Sequence, residues 1–128
     1  MSQDLKNQSN TKRQTYDLEE RTAKFGEQVI RFCQAITDNF VNRPIINQLV
    51  KCATSVGANY CEADDAESRK DFTHKIGICK KEARESKHFL RMLAIANPER
   101  KDDIRLLWQE AKELNLIFNK IFHSAKDS

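Results

Sequence analysis

Glycine and proline are scarce in this sequence. Only three glycines and two prolines occur among its 128 residues. β proteins need turn residues roughly every 8 to 12 positions, so this scarcity argues against a sheet and favours long helices. A chain of this length fits one domain with a single core, in which about two-thirds of the unfolded surface becomes buried.

Long apolar runs are also absent. No stretch approaches the ~18 consecutive apolar residues of a membrane-spanning helix. The N-terminal segment MSQDLKNQSNTKRQT lacks the apolar region of a signal peptide. The sequence therefore predicts a soluble, cytoplasmic protein. Its net charge is only +3, which affects binding only where the charge is concentrated on one surface.

The four cysteines, Cys33, Cys52, Cys61 and Cys79, include no CxxC pair. They lie in sequence of helical character, so the spacing predicts neither a zinc ribbon nor a disulfide framework. Free cysteine is among the residue types most often buried. We expect reduced thiols, most of them in the core.

The usual catalytic motifs are missing. The sequence contains no GxxxxGK[ST], GxGxxG, HExxH, GxSxG or EF-hand loop. One ExxH pair occurs, Glu85 with His88, whereas a di-iron bundle needs two such pairs that face inward. Helical projection turns both of these residues away from the core. We therefore predict no enzymatic activity, no catalytic residue, no metal and no cofactor.

Apolar residues recur at alternating spacings of four and three along four long segments. This spacing is typical of helices packed against near-parallel neighbours. We predict a disordered tail over residues 1–14 and a bundle domain over 15–126, with helices at about 17–40, 43–62, 68–97 and 102–124. Short connections favour an all-α, antiparallel, up-down-up-down four-helix bundle. The predicted core seams are Leu18, Thr22, Phe25, Val29, Phe32, Ile36 and Phe40; Ile45, Leu49, Cys52, Val56 and Tyr60; Phe72, Ile76, Cys79, Ala83, Ser86, Leu90 and Leu93; and Ile104, Leu107, Ala111, Leu114, Phe118 and Ile121.

Polar residues and prolines mark the predicted helix ends. Asn42 is predicted to cap the second helix, with Pro44 in its first turn. The hydroxyl of Ser68 is predicted to cap the third helix, with Asp71 at the position that a carboxylate favours. Pro98 cannot continue a helix, so the third helix should end near residue 97.

Four cations follow one side of the third helix. With each residue advancing by ~100°, Lys80, Arg84, Lys87 and Arg91 lie roughly 80° to 140° from the core seam. Such a stripe is either an ordinary solvated face or a surface that contacts nucleic-acid phosphates without reading sequence. No aromatic residue is interleaved with the stripe in the helix, so stacking on single-stranded bases is not predicted.

The opposite side of the third helix carries apolar residues among acids. Ile78, Phe89 and Met92 lie there with Glu82 and Glu85. These apolar residues either widen the core contact or are buried between subunits, and we favour self-association. Trp108 lies beside the fourth seam, and large flanking aromatics are common interface anchors. We therefore predict an oligomer interface that contains Ile78, Phe89, Met92 and Trp108.

The segment NYCEADDAESRKDF, residues 59–72, contains five acidic residues, a cysteine and a basic pair. It is either a metal or acid/base site or a polar connection between two helices. The acids lack the calcium-loop pattern and its glycine, and they disfavour a thiolate at Cys61. We interpret the segment as an electronegative rim beside the basic helix, in which Asn59 and Glu62 tie down the turn.

Several residues of this region resemble a known family. Ser55, Asn59, Glu62, Ser68, Arg69 and Phe72 match the pattern of the bacterial four-helix-bundle proteins encoded in intervening sequences of 23S ribosomal RNA genes, and the resemblance spans roughly 17–122. The common form has a glycine where this chain has Ala63. The resemblance implies an antiparallel bundle that forms a homopentamer, with no established enzymatic activity and a suspected role in nucleic-acid binding. Similar bundles are accessory proteins of diversity-generating retroelements.

Two functions are compatible with these features. The first is a non-enzymatic oligomeric bundle that binds structured RNA or DNA through Lys80, Arg84, Lys87 and Arg91, repeated around a ring so that weak sites add avidity. The second is a protein–protein scaffold or adaptor ring with no nucleic-acid role. The expected partners are thus further copies of the chain, RNA or DNA, or another protein, and no membrane.

Overall fold

Four long helices joined by short connections make up the part of the chain that the structure describes. The computed structural model describes residues 10–127, with side chains from Leu18 onward. The helices are α1 (Asn10–Gln34), α2 (Asn42–Asp64), α3 (Arg69–Ala96) and α4 (Lys101–Lys126), and a 3₁₀ turn (Pro98–Arg100) precedes α4. No strand occurs over residues 10–127, so the predicted all-α class is confirmed.

Cross-helix contacts establish the antiparallel order. Between α2 and α3, the contacts pair residues 42 with 97, 52 with 86, and 62 with 75, so one number falls as the other rises. Between α3 and α4, residue 80 lies against 122 and residue 87 against 108. Between α1 and α2, residue 22 lies against 57 and residue 26 against 54. Each helix therefore runs opposite to the next, as predicted.

The core is built from the four predicted seams. Most of their residues are buried, which follows from the match between the four-three spacing and the helical period. Phe32, Ile45, Phe72 and Ile121 are half-buried residues at the edge of this core. Thr22 and Ser86 are buried polar members, and each hydroxyl lies within hydrogen-bonding distance of a carbonyl one turn earlier. The core therefore accommodates small polar residues whose hydroxyl groups form hydrogen bonds within their own helix.

The first helix has different limits from those predicted. It begins at Asn10, so residues 10–14, which were predicted to be a tail, are helical; residues 1–9 of that tail lie outside the described residues. It ends at Gln34, and Phe40, predicted to be a core residue, has 83% of its surface exposed. The chain turns early because the Asn39 side chain starts α2, accepting hydrogen bonds from the backbone N–H groups of Val41 and Asn42 at 3.1 and 2.8 Å.

Asn42 does not cap α2 as predicted, because its side chain is buried in a pair with Asn97. The Nδ2 group of Asn42 donates to Oδ1 of Asn97 at 3.1 Å, and the Nδ2 group of Asn97 donates back at 2.9 Å. Asn42 also donates to the carbonyl of Thr37, and Asn97 to that of Leu93. This amide pair joins the start of α2 to the end of α3.

The predicted start of α3 is confirmed. Ser68 has an extended backbone, and its hydroxyl accepts a hydrogen bond from the N–H of Asp71 at 3.0 Å. The carboxylate of Asp71 lies in the first turn, where the positive helix end favours it. The helix ends at Ala96, directly before Asn97 and Pro98. The Ser68 cap and the Asn97–Pro98 stop together fix the two ends of the helix that carries the basic stripe.

Candidate nucleic-acid interface

The basic stripe of α3 faces the edge of α4. Lys80 and Lys87 are half-buried there, whereas Arg84 and Arg91 are exposed. The salt bridges found over the described residues use other cations: Arg21, Arg31, Arg43, Lys75 and Arg100. None of the four stripe cations is paired with an acid of the described part of the chain. Their charge therefore remains available to an anionic ligand.

Two aromatic rings of α4 lie beneath the stripe. The Nζ atom of Lys80 is 4.5 Å from the centre of the Phe122 ring, and that of Lys87 is 5.5 Å from the centre of the Trp108 ring. Cations at these distances are attracted by the electron-rich ring faces. The stripe itself contains no aromatic residue, but the neighbouring helix α4 supplies two rings that the sequence of α3 does not reveal.

The fourth helix adds four more cations. Lys112 approaches the Trp108 ring at 5.6 Å, and Lys126 approaches the Phe122 ring at 6.0 Å. Lys101 and Arg105 lie two turns and one turn before Trp108, respectively, and are exposed. We call the stripe together with these four residues the basic face; its members are Lys80, Arg84, Lys87, Arg91, Lys101, Arg105, Lys112 and Lys126.

A sequence signal for the α4 half exists, although our sequence reasoning missed it. Positions 101, 105, 108, 112, 115, 119, 122 and 126 repeat with alternating steps of four and three, and they contain four cations, two aromatics and two asparagines. Residues at this spacing share one side of a helix. The absence of any acid from this set distinguishes it from an ordinary solvated face.

One hydrogen bond between the helices holds the basic face together. The Nδ2 group of Asn115 donates to the backbone carbonyl of Lys80 at 2.8 Å. Two of the acids of α4, Glu110 and Glu113, lie on its other side, where the guanidinium of Arg21 in α1 contacts them at 2.8 and 3.0 Å. These carboxylates raise the pKa of Arg21 above its ordinary value, mainly through the hydrogen bond from Arg21 to Glu110. These two acids are thus held away from the basic face.

A cleft of about 460 Å³ opens at one end of the basic face. It lies between the last turns of α3 and the first turns of α4. Its lining residues are Arg91, Ala94, Lys101, Ile104, Arg105, Trp108 and Gln109. The cleft therefore combines an apolar floor, one aromatic wall and three cations, and no acid lines it.

Comparison with known proteins identifies the family. Residues 14–120 match the family model described as 23S rRNA-intervening sequence protein. The chain belongs to this family. A crystal structure of a protein of unknown function from the S23 ribosomal protein family of Bacteroides thetaiotaomicron has a TM-score of 0.76 and 24% identity, covering 85% of this chain and 97% of that chain. This likeness shows that the two share a fold. No curated protein matches the chain significantly.

The residues that match the family pattern lie around the end of α2 and the start of α3. Asn59 donates from Nδ2 to the carbonyl and the hydroxyl oxygen of Ser55, both at 2.9 Å. Glu62 lies 3.1 Å from the Nζ atom of Lys75 in α3. The side chain of Asn59 therefore bonds within its helix, and that of Glu62 reaches α3; neither is seen to bond the backbone of the turn as predicted. Phe72 packs against the core, and Arg69 is exposed.

The predicted interface residues lie on two different flanks of α3. Ile78, Phe89 and Met92 are half-buried on the flank toward α2, where the ring of His88 meets that of Phe89 edge-on at 5.1 Å. Trp108 lies on the flank toward α4, within the basic face. The structure therefore separates Trp108 from the other three, and their role between subunits stays a prediction.

The thiols have the environment of core residues. Cys33, Cys52 and Cys79 are buried, and Cys61 is exposed. Burial raises the pKa of Cys33 to about 11 and that of Cys79 to about 12. A thiol with so high a pKa is protonated at neutral pH and is a poor nucleophile. These three cysteines therefore act as small apolar side chains.

Neither a metal site nor a membrane-spanning helix is found over the described residues. Over the described residues, no three side chains of histidine, cysteine, aspartate or glutamate are grouped as metal ligands would be. Glu85 is half-buried and His88 is exposed, so the single ExxH pair does not face the core, as projection predicted. Among the helices over residues 10–127, none has the length and apolarity to span a membrane.

Proposed function

We propose that this protein is a non-enzymatic, cytoplasmic homo-oligomer that binds RNA or DNA through the basic face. The observation that carries the proposal is the set of cations on α3 and α4 that form no ion pair with an acid over the described residues. Nucleic-acid backbones are lines of closely spaced phosphates, and a row of cations along two neighbouring helices matches that form. The suspected nucleic-acid role of the resembling family agrees with this chemistry.

The energetics of such binding come mainly from counterion release. Each phosphate that a lysine or arginine neutralises releases condensed cations, so log K falls with log salt by about 0.9 per contact on duplex DNA. Phosphate contacts of this kind orient a ligand but carry little sequence information. We therefore expect strong salt dependence and weak sequence preference from the basic face alone.

Self-association strengthens binding through avidity. The half-buried apolar residues Ile78, Phe89 and Met92 supply a surface that a second copy would cover. Each added copy repeats the basic face, and linked sites bind far more tightly than one site does. A pentamer is the state that the family resemblance implies. Light scattering should show a homo-oligomer whose mass falls when Ile78 and Met92 are both changed to Asp.

The proposal is tested by removing the stripe. Changing Lys80, Arg84, Lys87 and Arg91 together to Ser should abolish retention on RNA and DNA at low salt. The matched control changes four exposed lysines elsewhere, Lys24, Lys51, Lys70 and Lys81, to Ser, which removes the same charge. Equal retention of the two variants would contradict a role for the stripe, and no binding by the unaltered protein at low salt would contradict nucleic-acid binding itself.

A groove between α1 and α2 favours the second candidate function, a protein–protein scaffold. It has a volume of about 490 Å³ and is lined by small residues, by Ile30 and by three glutamates, Glu19, Glu20 and Glu27. Such a surface repels phosphates and suits a basic, partly apolar protein segment. If the unaltered protein binds no nucleic acid at low salt, this scaffold function becomes the favoured one, and recovery of one protein in a pull-down after nuclease treatment would support it.

A further inference from the structure

The cleft beside Trp108 differs in chemistry from the rest of the basic face. Along most of that face, cations project over a convex pair of helices. In the cleft, Arg91, Lys101 and Arg105 surround a recess whose walls include Ile104 and the indole of Trp108. Its volume of about 460 Å³ falls within the roughly 300–1,000 Å³ of small-molecule pockets. A recess of this size takes a group larger than a phosphate.

The lining selects a flat group attached to anions. A free phosphate would gain nothing from contact with Ile104 and Trp108. An apolar peptide side chain would gain nothing from the three cations. A nucleotide meets both requirements, because its base presents a π face to the indole while its flanking phosphates contact the cations. Arg91 lies on α3 and the other two cations on α4, so phosphates on both sides of the base have partners.

The tryptophan is positioned for such stacking. It is half-buried, so its orientation is held by packing against the core while part of the ring lines the cleft. Lys87 and Lys112 approach the ring at 5.5 and 5.6 Å. Lys112 lies one turn after Trp108, whereas Lys101 and Arg105, which border the cleft, lie before it. Neither Lys87 nor Lys112 is among the residues that line the cleft.

We infer that the cleft binds an unpaired nucleobase by stacking on Trp108, so that the preferred ligand is single-stranded or carries unpaired nucleotides. This inference rests on the proposed function and narrows it. A base within a duplex has both faces covered by its neighbours, and only an unpaired base offers a free face to an aromatic side chain. Phosphate contacts bring the strand to the face, and the cleft discriminates between paired and unpaired segments.

The chain carries a single tryptophan, so its own fluorescence reports on this site. Titration with oligo(dT) should quench the emission. A strand of the same length built from abasic nucleotides should bind through its phosphates without this quenching, and a duplex hairpin with equal phosphates should quench little. Binding of all three ligands with equal affinity and no quenching would overturn the cleft assignment while leaving the proposed function standing. If none of the three binds, the proposed function itself fails.

Variants of Trp108 separate stacking from structural support. Trp108→Leu should weaken oligo(dT) binding by roughly 5- to 140-fold, the range that corresponds to loss of one base–aromatic stack. Trp108→Phe keeps a ring and should restore most of that affinity. Neither change should alter binding of the abasic strand, which also verifies that the variants fold. Equal affinity of Trp108→Leu and the unaltered protein for oligo(dT) would overturn the inference.

Discussion

The two flanks of α3 differ in whether their polar side chains have partners within the protein. On the flank toward α4, Lys80, Arg84, Lys87 and Arg91 have no acidic partner. On the flank toward α2, polar groups find partners inside the protein: Ser86 lies 3.3 Å from Sγ of Cys52, Lys75 pairs with Glu62, and Asn97 pairs with Asn42. One helix thus holds the bundle together with one flank and leaves the other free for a ligand.

This contrast predicts that stability and binding respond to different residues. A change on the flank toward α4 should reduce binding and leave the free energy of unfolding almost unaltered. A change on the flank toward α2 should do the reverse. Four variants, the first of which carries two substitutions, test this separation between stability and binding.

The largest expected effect comes from charge reversal on the binding flank. Changing Arg84 and Arg91 to Glu should weaken binding to oligo(dT) at low salt by roughly 100-fold and reduce the salt slope by about 2, since two phosphate contacts are lost. Both side chains are exposed, so stability should change by no more than about 0.5 kcal/mol. The control changes Lys70 and Lys81, exposed on the same helix, to Glu. A similar loss in the control would mean that only total charge matters.

The next effect concerns the amide pair. Asn97→Ala should lower the free energy of unfolding by about 1–3 kcal/mol, because the buried Oδ1 of Asn42 loses the hydrogen bond from Nδ2 of Asn97 and α3 loses a cap. Denaturation in urea measures this loss. The double variant with Asn42→Ala should cost less than the sum of the two single changes, since neither amide is then left unpaired. If the loss of unfolding free energy in the double variant equals the sum of the two single losses, the interaction between the two amides does not contribute to stability.

A smaller effect is expected at Ser86. Its hydroxyl is fully buried, 2.8 Å from the carbonyl of Glu82 and 3.3 Å from Sγ of Cys52. Ser86→Ala should lower the unfolding free energy by about 0.5–1.5 kcal/mol, the net value of one hydrogen bond. Affinity for oligo(dT), measured by fluorescence, should stay the same. A loss of affinity without a loss of stability would contradict the division between the two flanks.

The smallest effect concerns Glu82, whose pKa is raised by burial and by the nearby charge of Glu85. A raised pKa in the folded state means that folding favours the protonated form. The associated stability is present below the ordinary pKa of 4.5 and is lost as pH rises through the folded-state value. Glu82→Gln should remove this dependence and change stability at neutral pH by no more than about 0.5 kcal/mol. The free energy of unfolding should be measured from pH 4 to 7 for both proteins. If its slope against pH is the same in Glu82→Gln as in the unaltered protein, this assignment is wrong.

Much of the fold was predictable because helical periodicity is local. The seams of α2, α3 and α4 follow from spacing alone, and the Ser68 cap follows from a hydroxyl three residues before Asp71. The end of α1 was not predictable in this way. The spacing of apolar residues continues to Phe40, but the side chain of Asn39 starts the next helix and leaves Phe40 exposed.

The candidate site was only half predictable. The stripe on α3 is visible in the sequence because its members lie on one helix. Lys80 and Phe122, or Lys87 and Trp108, are far apart in the chain, and their approach depends on how α3 and α4 are rotated against each other. The pairing of Asn42 with Asn97 has the same origin, since two asparagines at helix ends carry no signal that they meet.

The sequence by itself determined the all-α class, the core seams and the concentration of positive charge on α3, because each depends on residues within a few turns of one another. The tertiary structure alone decided that the cations of α4 join this stripe, that Trp108 lies among cations in a cleft, and that Glu110 and Glu113 of α4 contact Arg21. The physical reason is that periodicity defines which residues share a side of a helix, whereas packing defines which sides become neighbours.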